Sequence, residues 1–183
     1  HPFFEHTRYL AIDRRMYSEK LKEGTDVLDI EGDALSVPLK EGVADMMLSI
    51  SMLEHMSEPL AYLREAHRVL KPGGRLCLFV PFNTGVHMAP YDYFRYTRYG
   101  LEHLFHKAGF TELDIRPSCG AFATVLGNTK KLIPHFADKG WLVKKIGSLL
   151  IWRILIPLSN RVDHWDTKRD FPRFYLAFAR KSQ

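Results

Sequence analysis

A helix that stops at glycine and resumes as a strand is the feature that most restricts how this chain folds. From Glu58 to Leu70 the apolar residues Leu60, Leu63, Ala66, Val69 and Leu70 fall at three- and four-residue steps, which gathers them on one helical face. Pro59 suits the first turn, where its missing N–H is not needed. Lys71-Pro72-Gly73-Gly74 then stops the helix, with both glycines expected at the positive-φ positions of a tight reversal. Arg75 to Val80 follows as an apolar strand. Helix, glycine turn and strand in that order make the αβ half of a parallel crossover unit.

The rest of the chain alternates in the same way. Tyr9-Leu10-Ala11-Ile12 is a short apolar run ending in Asp13, and the polar stretch Arg14 to Gly24 reads as a helix or connection. Asp26 to Ile30 and Val43 to Ile50 read as the next strands, with a loop containing Pro38 between them. Tyr99 to Ala108 reads as a helix closed by Gly109, Thr111 to Ile115 as a strand, and Phe174 to Ala179 as the last one. The alternation predicts one α/β domain over residues 1–183, a three-layer sandwich with a mostly parallel sheet. Ligands of such sheets bind beyond the carboxyl ends of the strands, so Asp13, the 31–34 turn, the 51–55 turn and the 81–97 loop are expected on one edge.

Residues 120–170 depart from this plan and read as a helical insertion or lid. Ile146 to Leu158 is mainly apolar but only 13 residues long, broken by Arg153 and ended by Pro157, too short to span a bilayer. Lys144, Lys145 and Arg153 beside Trp141 and Trp152 suit either a helix packed on the sheet or peripheral contact of 141–158 with an anionic membrane. Charge agrees with that division. Residues 1–128 hold 14 Lys and Arg against 17 Asp and Glu (−3), whereas residues 129–183 hold 12 against 4 (+8). A basic block of this kind is a solvated surface or meets an anionic partner; nucleic acid is not expected. Cys77 and Cys119 form no Cys-x-x-Cys and no metal-ligand spacing, so neither a disulfide framework nor a metal site is expected, and a cytoplasmic setting, peripheral to the membrane if 141–158 touches it, is the simplest. The chain begins at His1 without a basic-then-apolar leader, which suggests a processed or truncated start.

Gly32-Asp33-Ala34, the alternating segment that ends in Leu53-Glu54-His55, and the helix stopped by Lys71-Pro72-Gly73-Gly74 follow one another in an order and spacing that resembles the second half of the cofactor domain of class I methyltransferases, the methyltransferase-11 type. The resemblance runs from about Tyr9 to Ile115, with Phe174 to Ala179 as a further strand. It implies a Rossmann-like fold and S-adenosyl-L-methionine as cofactor. The family's first strand and its Gly-x-Gly loop are not found here, so the fold is expected to be N-terminally incomplete, with a sheet edge exposed where that strand belongs.

By the same resemblance Asp13 stands where an acidic residue binds the ribose hydroxyls, Asp33 where one meets the adenine amine with the Ala34 amide beside it, and Ser51, Met52 and Leu53 where a loop wraps the adenosine and sulfonium end. His55 occupies the position of a recurrent histidine. The residues themselves also allow plainer roles. Asp13 would serve as a helix N-cap, Asp33 as an Asx turn, and His55 as a helix-start residue bonded to backbone.

The stretch from His87 to Thr97 is the densest polar and aromatic cluster in the chain and follows the strand that ends at Pro81. It is a candidate substrate loop, or else a capped turn into the helix at Tyr99 with its aromatics in the core. Tyr91, Tyr93, Arg95 and Tyr96 are the substrate-binding candidates. His55, His87 and Asp92 are the candidates for handling a proton, since an unperturbed histidine titrates near ~6.5. The function expected is methyl transfer from S-adenosyl-L-methionine to a small-molecule, glycan or lipid-linked acceptor; whether O, N or C is methylated, and the oligomeric state, stay open. The alternative is a non-catalytic Rossmann-like module that binds a membrane or a protein through its basic C-terminal region. A nicotinamide enzyme, which Asp13 alone would allow, does not fit the Leu-Glu-His and Lys-Pro-Gly-Gly elements.

Overall fold

A computed structural model describes residues 6–14, 29–137 and 140–183. Its strands are β1 (Ile12–Asp13), β2 (Ile30–Glu31), β3 (Ala44–Ile50), β4 (Leu70–Pro81), β5 (Phe110–Pro117) and β6 (Phe174–Lys181). The helices are α1 (Pro59–Val69), α2 (Arg98–Lys107), α3 (Ala121–Asn128), α4 (Ile133–Ala137), α5 (Trp141–Leu150) and α6 (Ile156–Val162). Four strands form one sheet in the order β3-β4-β6-β5, and β1 pairs with β2 in a separate parallel pair. β3 runs parallel to β4, while β6 is antiparallel to both β4 and β5. Three of the four strands therefore share one direction and β6 alone opposes them. The mixed α/β sheet with its helices is the layered architecture that the alternation predicts.

Of the expected strand over 26–30, residues 26–28 lie outside the described residues, as does the expected connection from position 15 to 24; Ile30 is the part seen in β2. β2 is held by backbone bonds from Asp29 and Ile30 to the Ala11 carbonyl and by Gly32 N–H to the Asp13 carbonyl. A Cβ at Gly32 would stand 2.8 Å from Pro38 Cδ and 3.2 Å from Ile12 Cγ2, so the close approach of these two loops requires glycine.

α1 forms as its periodicity predicts, with Pro59 in the first turn, and it buries Tyr62, Leu63, Ala66 and Val69. Tyr62, Leu63 and Ala66 meet Leu76, Leu78 and Val80 of β4, Leu101 and Phe105 of α2, and Phe110 and Ala177 in the main core. Phe105 and Phe110 meet edge to face, with ring centroids 5.8 Å apart. Thr97 starts α2, its hydroxyl accepting from Gly100 N–H at 3.0 Å.

The glycine turn behaves differently from the expectation. Leu70 already pairs with Ala44, and the ladder resumes only at Met46 with Arg75, so Lys71 to Gly74 bulge out of a strand that has begun rather than precede it. Gly73 alone has a positive φ, 77°. Gly74 is needed for space instead: a Cβ there would lie 2.8 Å from the Lys71 carbonyl oxygen.

Among the described residues β3 is hydrogen-bonded to β4 alone, and Met46, Leu48 and Ile50 are exposed. A parallel strand is ordinarily covered on both faces, which makes this the least protected part of the sheet.

The 120–170 region is helical. Asp163 and Asp166 cap the start of α3, accepting from the amides of Gly120, Ala123 and Ala121 at 2.7–2.8 Å. Pro157 does not end the apolar stretch: a π-helical turn over Ile151–Leu155 joins α5 to α6, and the chain stays helical to Val162. A widened turn tolerates a residue that has no N–H to give, which is the physical reason the helix passes through proline. No described helix is long and apolar enough to cross a membrane. Ile151 is buried, whereas Trp141, Ile146, Leu149, Trp152 and Ile154 are more than half exposed. Cys77 is buried in β4 and both cysteines are unpaired.

Candidate active site

Two segments leaving the carboxyl ends of β3 and β4 meet. The first is a short 3-10 turn, Leu53–His55, entered through Ser51 with φ at 49°. The second is the loop from Phe82 to Tyr96, in which Met88 is also left-handed, φ 54°. Such a conformation costs a residue with a Cβ about 1–2 kcal/mol, so its occurrence on both sides of one contact marks a place where backbone ease gives way to a required geometry. The loop is tied to the turn by Tyr93 and Phe94 N–H to the Glu54 carbonyl, at 3.0 and 3.3 Å, and by the Tyr96 hydroxyl to the Leu53 carbonyl at 3.0 Å.

Between them lie three convergent side chains. Glu54 is fully buried and neither of its carboxylate oxygens has a hydrogen-bond partner among the described residues. Oε1 is 3.7 Å from His55 Nε2 and 3.6 Å from His87 Nε2, beyond hydrogen-bond length in both cases. The two imidazoles meet edge to face with centroids 4.9 Å apart. His55 Nδ1 lies 2.7 Å from the Tyr91 carbonyl oxygen and therefore donates its proton there, which leaves Nε2 of the neutral ring with a lone pair. His87 Nδ1 faces the Gly85 carbonyl at 3.2 Å and Asp92 Oδ2 at 3.5 Å, with Arg95 Nη2 at 3.4 Å; two acceptors against one donor favour the same tautomer. Burial pushes the Glu54 carboxyl up, opposed by the neighbouring histidines. The result is a pocket of lone pairs facing one another, open to solvent on the His87 side, where that side chain is 38% exposed.

Of the proton-handling candidates, His55 and His87 are thus brought together and Asp92 is not available. Its side chain is only 2% exposed and is gripped by Arg95 through Nη1 at 2.6 Å and Nη2 at 2.7 Å, while it also accepts from His87 N–H at 2.8 Å. The Arg95 guanidinium holds the Asp92 carboxyl well below the usual carboxylate range, so it stays an anion that fixes the loop and does not take a proton near neutrality. Arg95 in turn spends its remaining donors on the carbonyls of Thr84, Gly85 and Phe94. These bonds make it a clamp on the loop. Tyr96, another expected substrate contact, is buried in the core with its hydroxyl bonded to Leu53. Tyr91 and Tyr93 are each 46% exposed and remain accessible.

Glu54 is the residue that the sequence reading passed over as a site. Its one signal is a carboxylate inside the apolar run Met52 to Met56.

The expected cofactor residues lie at the ends of β1, β2 and β3. Asp13 ends β1 exposed, with Oδ1 accepting from Arg14 N–H at 2.7 Å. Asp33 makes the Asx turn that its preceding glycine allows, Oδ1 accepting from Leu35 N–H at 2.9 Å, and its Oδ2 meets Arg14 Nη2 at 2.5 Å. The Leu35 amide, and then Arg14, hold the Asp33 carboxyl below its ordinary value. Ala34 packs partly against the core and Met52 does the same. Leu53 is fully buried, with its side chain in the core and its carbonyl bonded to Tyr96. The loop from Gly32 to Leu39 is pinned to α1: Glu65 accepts from Val37 N–H at 2.7 Å and pairs with Arg68, which donates to the carbonyls of Val37 and Leu39.

Comparison with known proteins bears on the fold and the kind of domain. Residues 5–78 match a family described as a methyltransferase domain. Over 52 residues the chain is 44% identical to 2-methyl-6-phytyl-1,4-hydroquinone methyltransferase of Spinacia oleracea, a match covering 28% of this chain and 15% of that one. The chain therefore corresponds to a small part of the curated relatives' length. A methyltransferase from Archaeoglobus fulgidus superposes with a TM-score of 0.61 at 14% identity, over 97% of this chain and 77% of the other. Phosphoethanolamine N-methyltransferase 2 of Haemonchus contortus, solved with phosphomonomethylethanolamine and S-adenosylhomocysteine, gives 0.51 at 16% identity, over 84% and 37%. The methyltransferase-domain match thus covers the β1 to β4 region, and along nearly the whole chain the fold is that of the Archaeoglobus fulgidus structure.

Proposed function

We propose that the protein carrying this chain transfers a methyl group from S-adenosyl-L-methionine to a small-molecule acceptor. One observation carries the reading. The loops that leave β2, β3 and β4 at their carboxyl ends supply, in order, the Asp33–Ala34 pair, the left-handed Ser51 turn, and the His55–His87 contact. S-adenosyl-L-methionine, when bound, supplies a methyl group on a sulfonium. The residues present fit its adenosine half. Asp33 is held ionised, which strengthens it as an acceptor for an amine, and its Arg14 partner is 58% exposed, so that pair is weakly held and easily exchanged. Asp13, at the end of β1, offers a carboxylate to ribose hydroxyls. His55 and His87 face the end where an acceptor loses its proton, and Tyr91 and Tyr93 offer exposed aromatic faces to an apolar acceptor. The hydroquinone substrate named for the spinach relative supports a small aromatic acceptor.

The test is transfer of labelled methyl from S-adenosyl-L-methionine to a panel of quinols, phenols and amines. The reading expects transfer to at least one of them, reduced tenfold or more in His87→Ala. No transfer across the panel by protein that binds S-adenosylhomocysteine would refute the acceptor class alone; no cofactor binding would refute the whole reading.

A second reading concerns 141–158, where Trp141, Ile146, Leu149, Trp152 and Ile154 lie exposed beside Lys144, Lys145 and Arg153. Lys145 sits over the Trp141 ring at 5.7 Å. This composition suits contact with an anionic lipid surface and an acceptor carried there. Sedimentation with anionic vesicles, lost in high salt and in a variant with the three basic residues made Gln, supports it; equal binding to neutral vesicles, or none, removes it.

A further inference from the structure

We propose that Glu54, His55 and His87 form a binding site for one divalent transition-metal ion of the zinc class. The inference goes beyond the methyltransferase reading and stands on geometry alone. No spacing in the sequence suggests it, since His87 lies 32 positions after His55 and only the docking of the 82–96 loop on the 53–55 turn joins them.

The first ground is the set of atoms. One ligand atom from each of the three residues lies within 4.8 Å of the other two. Both imidazoles turn Nε2 toward Glu54, His55 with its Nδ1 bonded to the Tyr91 carbonyl and His87 with its Nδ1 between the Gly85 carbonyl and Arg95 Nη2. A second-shell carbonyl on the far nitrogen is how proteins fix the tautomer and orientation of a metal-binding histidine.

The second ground is what the cluster lacks. Glu54 Oε1 and Oε2 and His55 Nε2 are buried without a hydrogen-bond partner. Leaving a buried polar group unpaired costs about 1–3 kcal/mol, more for a charged one, so Glu54 Oε1 and His55 Nε2, 3.7 Å apart, call for a partner between them. Water, a shared proton or a metal ion would each supply one.

The third ground is distance. A proton shared between Glu54 and either ring would draw the heavy atoms to about 2.8 Å. An ion bound at about 2.0–2.1 Å holds neighbouring tetrahedral ligands about 3.3 Å apart. The observed 3.6 and 3.7 Å lie much nearer the second value. Two imidazoles with one carboxylate suit zinc, cobalt or nickel; magnesium and calcium favour oxygen-only shells. Three protein ligands leave a fourth position, and the half-exposed His87 gives it a path to solvent. In the loaded protein the rings hold the ion instead of taking a proton, and the open position accepts water or an oxygen of the acceptor.

The experiment uses chelator-treated, desalted protein titrated calorimetrically with Zn2+, and in parallel with Co2+ followed by its visible absorption. One equivalent of each is expected, with affinity at least tenfold weaker in His87→Ala and in Glu54→Gln. His87 is a partly exposed loop residue, so His87→Ala keeps its fold, checked by circular dichroism, and Glu54→Gln keeps the side chain's shape. Absence of binding in the parent protein, or binding unchanged in either folded variant, overturns the proposal. A titration with S-adenosylhomocysteine on the same samples reads the cofactor site separately.

Discussion

Replacing Glu65 by alanine should loosen the loop that carries Asp33, and the size of the effect follows from its contacts. Glu65 accepts from the Val37 amide at 2.7 Å and from Arg68 at 2.7 and 2.8 Å, and its side chain is only 12% exposed. Val37 is buried, so without Glu65 its N–H loses its partner where water has poor access, which costs about 1–3 kcal/mol. The ion pair adds little, because the Arg68 side chain is about a third exposed, 35%, and keeps its bonds to the Val37 and Leu39 carbonyls. We therefore expect about 2 kcal/mol of destabilisation, roughly 4–8 °C in Tm for a chain of this size. Glu65→Gln, which keeps an acceptor oxygen for Val37, should lose less.

The effect also has a pH signature. Arg68, then the Val37 amide, hold the Glu65 carboxyl below its unfolded value, so the folded state binds this proton less readily than the unfolded state. Its contribution is fully present above the unfolded pKa of about 4.3 and is lost as pH falls through the lower folded value. Thermal melts of parent and Glu65→Ala should differ most near neutrality, and the difference should narrow in acid below that range as the charge-dependent part is lost. Equal Tm values at pH 7, or a difference that persists unchanged into acid, would refute the reasoning.

Two further perturbations follow from the loop contacts. Tyr96→Phe removes the buried bond to the Leu53 carbonyl while keeping the ring in the core, so it should lower stability by about 1 kcal/mol in a denaturant titration and leave the m-value unchanged. Arg95→Lys cannot reproduce the two-pronged grip on Asp92 or reach three carbonyls at once, so hydrogen exchange at the His87 amide, which Asp92 binds, should speed up at least tenfold while that of β4 stays unchanged.

The parts of the fold legible from sequence were those set by local pattern. α1 could be read because Leu63, Ala66 and Val69 recur on one face and are the residues it buries, and β4 because its apolar run follows a glycine turn. The bulge over Lys71 to Gly74 was not legible, since it depends on Leu70 pairing with Ala44, a partner set by tertiary register. The continuation of helix through Pro157 depends on a π turn that no local propensity announces.

The site divides in the same way. Asp13 and Asp33 sit at strand ends, where alternation alone places them, and their carboxylates remain near the surface. Asp92, Arg95, Tyr96 and Leu53 look like site chemistry in sequence but are consumed by one another and by the core. Glu54 shows the reverse: a residue type that reads as solvated is fully buried because the 82–96 loop closes over it.

The measurement that bears most directly on the methyltransferase account is calorimetric titration of the protein with S-adenosylhomocysteine, with Asp33→Ala and Asp13→Ala as controls. Asp13 is exposed and the Asp33 side chain is 41% exposed, so both variants are expected to fold, which circular dichroism checks alongside the titration. The account predicts micromolar binding of one equivalent, at least tenfold weaker in each variant. Absence of binding by the folded protein, or binding indifferent to both substitutions, would contradict it.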